Sequence, residues 1–257
     1  MIKEFYVDKL KVKIFASRQE MGTCAGNEIA AYMLELLKEK ECINVMFAAA
    51  PSQNETLEAL CGYEIPWNRV NAFHMDEYAG LDEGHPAGFR NFLKRAIFDR
   101  YEFRSVNLID GNAEDLEAAM KAYDDLLGSH PLDVCILGIG ENGHIAFNDP
   151  DVADFHDPVR VKRVRLDEKC RMQQVHDGCF RDISEVPTHA VTVTVPALCA
   201  AARMFCSVPA ATKAEAVRCL VNGPVGEACP ATVMRAHEGA SLYLDADSAQ
   251  YILEGNS

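Results

Sequence analysis

The chain has 257 residues, of which 49% are hydrophobic, so it is long enough to bury a large core. Its formal net charge of −14 leaves no basic stripe that could follow a nucleic acid backbone, and we expect no nucleic acid partner. No run approaches the roughly 18 apolar residues of a membrane span, and the N-terminal residues show no signal-peptide core. The sequence therefore predicts a cytoplasmic protein that does not insert into a membrane.

Neither the ten cysteines nor the eight histidines show a spacing that is typical of metal or redox chemistry. The cysteines lie mostly inside apolar runs and never form a C-x-x-C pair, which indicates buried thiols. The histidines form neither an H-E-x-x-H nor an H-x-H pattern. We therefore expect no metal site.

Apolar runs of strand length alternate with longer stretches of helical period. In chain order the sequence predicts a strand at 10–15, a helix at 20–40, a strand at 43–49, a helix from 54, a strand at 69–73, a helix at 89–98, a strand at 106–109, a helix at 113–127, strands at 132–138, 189–195 and 203–208, a helix at 212–221 and a strand at 241–244. This order is expected when crossover helices join parallel strands. We predict an α/β fold in which residues 1–257 form a single domain around one doubly wound, mostly parallel, Rossmann-like sheet with helices on both faces.

The first strand end with candidate catalytic residues lies after the strand at 69–73. In sheets of this kind, ligands bind beyond the carboxyl ends of the strands. The chain reaches two adjacent carboxylates there, Asp76 and Glu77. Neighbouring residues cannot both face one cleft, so we expect one to act on a ligand and the other to be structural or to cap a helix.

The second such strand end carries the glycine-rich loop at residues 138–150, which reads Gly-Ile-Gly-Glu-Asn-Gly-His-Ile-Ala-Phe-Asn-Asp-Pro. Gly138, Gly140 and Gly143 let the backbone turn sharply and approach a ligand, and His144 supplies an imidazole that can donate or accept a proton. A G-x-G-x-x-G pattern also occurs in dinucleotide-binding loops. Here the third glycine precedes His-Ile-Ala-Phe rather than an amphipathic helix, so we reject a dinucleotide site.

A third polar segment follows the strand at 43–49. Ser52, Gln53 and Asn54 can donate hydrogen bonds at a helix N-terminus, where backbone amides and the helix dipole favour an anion. Ser52 followed by Glu55 also fits a capping box, which has no ligand. The pattern leaves both interpretations open.

These segments resemble the glucosamine-6-phosphate deaminase/isomerase family, and the resemblance covers nearly the whole chain. It is carried by Asp76 in Met-Asp-Glu-Tyr-Ala-Gly-Leu, by the loop around His144, by Val186-Pro187, and by Lys213 in Thr-Lys-Ala-Glu-Ala-Val. The His-Ile-Ala-Phe-Asn extension distinguishes that family from the related 6-phosphogluconolactonases, whose loop usually reads Asp-Gly-His-Thr-Ala-Ser-Leu-Phe.

The resemblance implies a sugar-phosphate aldose–ketose isomerase/deaminase that converts glucosamine 6-phosphate to fructose 6-phosphate and ammonia without a metal or organic cofactor. Asp76 matches the carboxylate that moves a proton between C2 and C1, and His144 matches the residue that helps to open the sugar ring. Asn142 and Asp149 match positions that support the histidine. Asp149 is one methylene shorter than the glutamate that is usual there.

The resemblance also implies a phosphate site, and here the chain departs from the family. Residues 48–55 replace the usual Thr-Gly-Gly-Thr-Pro type of loop, Lys213 matches a phosphate-binding lysine, and His176 stands where an arginine is usual. A histidine cannot reproduce the forked, always charged contact of an arginine.

These departures leave alternatives for the substrate and the reaction. They are the isomerisation of another aminohexose phosphate such as galactosamine 6-phosphate, a 6-phosphogluconolactonase-type hydrolysis, and a non-catalytic sugar-phosphate sensor. Family relatives include monomers and hexamers, so a homo-oligomer is also open.

Overall fold

A computed structural model describes residues 1–254 of the chain. The strands are β1 (Lys3–Val7), β2 (Leu10–Ile14), β3 (Ile43–Phe47), β4 (Val70–His74), β5 (Asp76–Tyr78), β6 (Ser105–Asn107), β7 (Val134–Leu137), β8 (Val161–Arg165), β9 (His189–Val193), β10 (Arg203–Val208) and β11 (Ala240–Leu244). The α-helices are α1 (Arg18–Glu39), α2 (Asn54–Cys61), α3 (Phe89–Leu93), α4 (Leu116–Ser129), α5 (Glu168–His176), α6 (Val195–Cys199), α7 (Ala214–Asn222) and α8 (Gln250–Glu254). Helix α3 continues directly into a π-helical segment, Lys94–Phe98.

The main sheet has eight strands in the order β1-β2-β11-β10-β7-β3-β4-β6. Every neighbouring pair is parallel except β1 and β2, which form an antiparallel hairpin at one edge. The mostly parallel sheet that the sequence predicts is thus confirmed. Strand β1 was missed because its five residues are at most half-buried at the edge and carry no continuous apolar run.

A second, smaller sheet consists of β5, β9 and β8 in antiparallel pairing. The predicted strand at 189–195 is β9, which lies in this sheet and not in the main one. Strand β4 ends at His74, and the chain bends at Met75 before Asp76 pairs with Thr192 of β9. The second sheet therefore holds Asp76 just beyond the carboxyl end of a parallel strand.

Helices cover both faces of the main sheet, as the sequence predicts. Side chains alternate along β7, so that Val134 and Ile136 join the core under α1 and α2, whereas Cys135 and Leu137 join the core under α4 and α7. Helices α1 and α2 cross closely, and a Cβ atom on Gly26 would come within 2.6 Å of Ala59 Cβ. No helix among residues 1–254 is long and apolar enough to cross a membrane.

Candidate active site

A cavity of about 340 Å³ lies at the carboxyl ends of β3, β4 and β7. This volume is in the range of pockets that bind small molecules. Its walls come from residues 48–53 after β3, 75–76 after β4, parts of 138–147 after β7, parts of 86–95 around α3, and parts of 173–179 at the end of α5. The cavity thus lies where doubly wound sheets bind their ligands.

Asp76 lines this cavity as an unpartnered carboxyl group. Its side chain is buried and makes no hydrogen bond or ion pair with any residue between 1 and 254. Burial, and then the charge of the adjacent Glu77, raise the pKa of Asp76 well above its ordinary value. A carboxylate in such a place accepts a proton more readily than one in water.

Glu77 has the other role that was expected for one of the two neighbouring carboxylates. Its Oε1 accepts the backbone N–H of Phe89 at 3.1 Å, and its Oε2 accepts that of Arg90 at 2.9 Å. These are the first amides of α3, so Glu77 caps that helix. The fixed cap leaves Asp76 as the carboxyl group that faces the cavity.

His144 lies against the glycines of its own loop. A Cβ atom on Gly140 would come within 2.1 Å of His144 Cε1, so only glycine leaves room for the ring. Gly143 has a φ of +86°, and a Cβ atom there would lie 2.7 Å from Cys229 Sγ. These two glycines therefore determine where the imidazole sits at the cavity wall.

Asp149 supports His144 from behind. Its Oδ1 is 2.9 Å from His144 Nδ1, although the ring N–H is not directed at the oxygen, so the contact is electrostatic more than a regular hydrogen bond. Asn142 Nδ2 donates to the same oxygen at 2.9 Å, and the Asp167 backbone N–H donates to Oδ2 at 3.2 Å. Burial alone raises the pKa of Asp149, but these partners outweigh burial and lower it.

Asn142 connects this carboxylate to the backbone of the loop. Its Oδ1 accepts the backbone N–H of His144 at 3.1 Å, and its Nδ2 also donates to Asp167 Oδ2 at 2.7 Å. The asparagine therefore holds the loop and Asp149 in register and does not itself reach the cavity.

One further group of donors, which the sequence did not indicate, surrounds the same carboxylate. Donor atoms of His144, Asp149 and Cys170 lie within 4.8 Å of one another, and all three side chains are buried. An imidazole, a carboxylate and a thiol are ligands that a divalent transition metal accepts. The oxygens of Asp149 already receive two N–H donors, however, which leaves little ligand capacity for an ion.

The segment after β3 forms a wall at one end of the cavity. Gln53 is fully buried, and its Nε2 donates to Ser207 O at 3.2 Å and to Ser52 Oγ at 3.1 Å. A Cβ atom on Gly138 would lie 2.8 Å from Gln53 Nε2, so this glycine lets the two segments approach. Ser52 and Gln53 both line the cavity, as predicted for ligand-binding residues, whereas Asn54 is exposed outside it.

The alternative capping box does not form at the start of α2. Neither Ser52 nor Glu55 makes a side-chain capping bond there. Glu55 Oε1 instead lies 2.6 Å from Arg18 Nε, which neutralises the carboxylate that follows the cavity wall. The first turn of α2 therefore contains Glu55, but the carboxylate pairs with Arg18 and not with the N-terminal amides of the helix.

Lys213 lies beside this wall, just beyond the residues that line the cavity. Its side chain is only 4% exposed, yet its ammonium group makes no hydrogen bond or ion pair within residues 1–254. Burial lowers its pKa, and the nearby Asp177 and Glu141 partly counter that effect. A buried cation without a partner is costly, which indicates that an anion belongs next to it.

The structure places His176 away from the cavity. The side chain is exposed, and its Nδ1 lies 3.3 Å from Glu141 Oε1. Helix α5 presents Gln173 and Gln174 to the cavity instead. The segment predicted from the family pattern does border the cavity, but with side chains other than His176.

Gln174 and Arg95 are polar cavity residues that were not predicted from the sequence. Gln174 is 5% exposed, and its side-chain amide has no partner within the described part of the chain. Cys170, Gln173, Gln174 and Asp177 have the spacing of one helical face, and this spacing could have identified Gln174 as an inward-facing residue. Arg95 lines the cavity from the π-helical segment, and no motif marks it.

A doubly wound sheet with an unpartnered carboxyl group and a carboxylate-supported histidine at its strand ends defines an α/β enzyme that transfers protons on a small substrate. The family of glucosamine-6-phosphate isomerases/6-phosphogluconolactonase matches residues 16–243, and the chain belongs to this family. The resemblance seen in the sequence is thus confirmed.

The sequence is similar to those of named relatives over most of its length. The chain is 33% identical over 221 residues to the glucosamine-6-phosphate deaminase of Bacillus thuringiensis (strain Al Hakam), which covers 85% of this chain and 82% of the relative. The enzyme of the same name from Bacillus anthracis (strain A0248) has the same identity and coverage.

Solved structures agree with this fold. A monomeric glucosamine-6-phosphate deaminase superposes with a TM-score of 0.83 at 26% identity, over 93% of this chain and 98% of that one. The 6-phosphogluconolactonase of Thermotoga maritima superposes with a TM-score of 0.74 at 20% identity, over 92% of this chain and all of that one, and it shows the shared fold.

Proposed function

We propose that the protein is a sugar-phosphate aldose–ketose isomerase/deaminase that converts glucosamine 6-phosphate to fructose 6-phosphate and ammonia. The observation that carries the proposal is the Asp76 carboxyl group, which is buried, unpartnered, raised in pKa and directed at a cavity of sugar-phosphate size. The relatives named as glucosamine-6-phosphate deaminases support this choice of reaction.

His144 opens the sugar ring in this mechanism. It passes a proton between the ring oxygen and the neighbouring hydroxyl, so that C1 becomes an aldehyde. Asp149, with its lowered pKa, stays ionised and stabilises the protonated imidazole, and Asn142 keeps both groups in place.

Asp76 then moves the proton that defines the isomerisation. Its carboxylate removes the hydrogen from C2, and the resulting enolamine takes a proton at C1, which leaves an imine at C2. One water molecule adds to the imine carbon, ammonia leaves with its electron pair, and the carbonyl of the ketose remains. The isomerisation moves electrons only between C1 and C2 of the substrate, so the reaction needs no external oxidant or reductant.

The phosphate of the substrate lies at the other end of the cavity in this proposal. Ser52 and Gln53, immediately before α2, form the wall there, and Lys213 supplies a buried positive charge. The unpartnered amide of Gln174 gains a hydrogen-bond partner when a sugar phosphate is bound. The backbones of Gly138 and Gly140 also line the cavity, and Gly143 sets the turn that leads to His144.

We further propose that the chain acts as one domain in the cytoplasm, with an aminohexose phosphate and not a nucleic acid as its ligand. Both hydrophobic cores share the main sheet, which supports a single folding unit. Assembly into a homo-oligomer is a separate hypothesis, which the molar mass in solution tests.

A screen of the purified protein tests the proposed reaction. Glucosamine 6-phosphate, galactosamine 6-phosphate and a 6-phosphogluconolactone are offered in turn, with Asp76→Asn as the matched inactive control. We expect ammonia and a ketose phosphate from glucosamine 6-phosphate with the wild type only. Acid release from the lactone alone would establish a hydrolase, and thermal stabilisation by a sugar phosphate without turnover would establish a sensor.

A further inference from the structure

The cavity presents an electrostatic problem for an anionic substrate. Asp76 and Asp177 both line it, and the chain as a whole carries a net charge of −14. A phosphate group needs positive charge close by to outweigh this field. Among the described residues that line the cavity, Arg95 is the sole lysine or arginine.

The lining of the cavity shows where Arg95 lies. Beyond the π-helical segment, Arg100 Nη1 is 2.9 Å from Glu58 Oε2, and Tyr101 Oη donates to Cys61 O at 2.7 Å, so this part of the chain packs against α2. Arg95, within the π-helical segment, and residues 51–53, which precede α2, line the same cavity. One ligand in this cavity can therefore contact both Arg95 and the wall before α2.

The guanidinium group of Arg95 makes one hydrogen bond within the described residues and keeps its other N–H donors free. Its Nη2 donates to Pro86 O at 2.9 Å, and no other hydrogen bond or ion pair engages it within residues 1–254. Arg90, on the same helical stretch, is instead surrounded by carboxylates, with Glu77 at 3.3 Å and Asp110 at 3.5 Å. Arg95 alone of the two keeps donors free for a ligand.

A second observation also indicates an anion at this end of the cavity. The side chain of Lys213 is 4% exposed, and its ammonium group has no anionic partner within the described residues. Its neighbours approach the same wall, because Gln53 Nε2 bonds to Ser207 O at the end of β10, the strand that leads to Lys213.

We propose that Arg95 is a positioning and specificity-determining residue that holds the phosphate of the substrate at the cavity mouth. Its forked donors bind two phosphate oxygens, with Ser52 and the α2 amides on the inner side and Lys213 below. Arg95 thereby takes the role that the resemblance led us to look for at position 176. The inference rests on the proposed function for the identity of the sugar, but it requires only a phosphate-bearing ligand.

The test compares Arg95→Ala and Arg95→Lys with the matched control Arg100→Ala, which removes an exposed arginine from the same stretch outside the cavity. Binding of inorganic phosphate is measured by calorimetry, and KM and kcat are measured with glucosamine 6-phosphate. We expect Arg95→Ala to weaken phosphate binding and raise KM about tenfold to a hundredfold, with a much smaller effect on kcat. Arg95→Lys should recover part of the loss, and Arg100→Ala should match the wild type.

The inference is overturned if phosphate binds to Arg95→Ala as it does to the wild type, if Arg100→Ala is equally impaired, or if the wild type binds no phosphate. A loss of kcat with unchanged KM and phosphate binding would also overturn it. Should Arg95→Ala fail to fold, Arg95→Lys carries the test. If phosphate binding depends on Arg95 but no ammonia is released, the proposed reaction fails and the anion site stands.

Discussion

Asp76 lines the cavity and Asp149 lies behind His144 at the cavity wall; both carboxyl groups are buried, but their partners differ. Asp76 has no partner and a raised pKa, whereas Asp149 receives two N–H donors and an imidazole and has a lowered pKa. One residue type thus supplies a base that can take a proton and an anion that stays charged. Opposite pKa directions within one site are a typical basis for dividing acid–base roles.

The largest effect should come from Asp76→Asn. We expect kcat to fall by about 10³-fold or more, because the amide cannot accept the C2 proton. Ammonia release measures the rate, and unchanged binding of the sugar phosphate serves as the control. A variant that retains more than a tenth of the wild-type rate would remove the distinction between the two carboxylates.

Asp149→Asn should lower kcat less, by on the order of 10²-fold, because the histidine remains but loses its charged partner. Asp149→Glu is the matched control, since it restores the carboxylate on a longer side chain. Steady-state rates between pH 5 and 8 provide the measurement. An unchanged rate and pH profile for the asparagine variant would exclude a supporting role.

Lys213→Met tests the phosphate end of the cavity. The methionine keeps the buried stem but removes the charge, so we expect KM to rise roughly 30-fold with little change in kcat. Lys169→Met, which alters an exposed lysine on α5, is the control. An unaltered KM would show that Lys213 does not contact the phosphate.

The folding stabilities of the two asparagine variants should move in opposite directions at pH 7. Asp76→Asn should raise the free energy of unfolding and Asp149→Asn should lower it, each by about 1–3 kcal/mol. The first removes a buried charge without a partner, and the second places an amide where N–H donors need an acceptor.

The pH dependence of these stability changes follows from the directions of the two pKa shifts. Asp76 destabilises the fold above its raised folded pKa, and this cost disappears as the pH falls to its unfolded pKa of about 3.9. Asp149 stabilises the fold above about pH 3.9, and this contribution is lost as the pH falls through its lowered folded pKa. Urea unfolding at pH 7 and pH 4 measures both, and equal signs at pH 7 would contradict the comparison.

Gln174→Leu should have the smallest effect. Loss of one neutral hydrogen bond to the substrate raises KM about threefold to tenfold. Gln19→Leu, which alters an exposed glutamine on α1, is the matched control. If the two variants behave alike, the unpartnered amide of Gln174 does not contact the substrate.

Much of the fold could be predicted from the sequence because parallel strands buried on both faces are nearly continuous apolar runs. The strands at the centre of the main sheet were found in this way. The hairpin strand β1 was not found because its residues are at most half-buried, and β5 was not found because its three buried residues are too few to show a period. Asp76 and His144 were found because each follows such a run within a recognisable motif.

The phosphate end of the site could be predicted only in part. Position 176 was identified by its place in the family pattern, but the structure turns that side chain outwards and turns Gln173 and Gln174 inwards. Arg95 has no local signature, since an arginine on a helical stretch is usually solvated. Only the tertiary structure brings it to the cavity.

The sequence by itself determined the α/β class, the two strand ends that meet at the cavity and the chemical groups found there, because burial patterns and motifs are local properties of the chain. Only the tertiary structure decided which of those groups have partners. Within residues 1–254, Glu77 caps α3 whereas its neighbour Asp76 has no partner, and Lys213 has no partner although Asp177 and Glu141 lie near it. The hydrogen-bond and ion-pair partners of a group come from segments far apart in the chain. These partners, together with burial, set the pKa of the group and so the role that it can take.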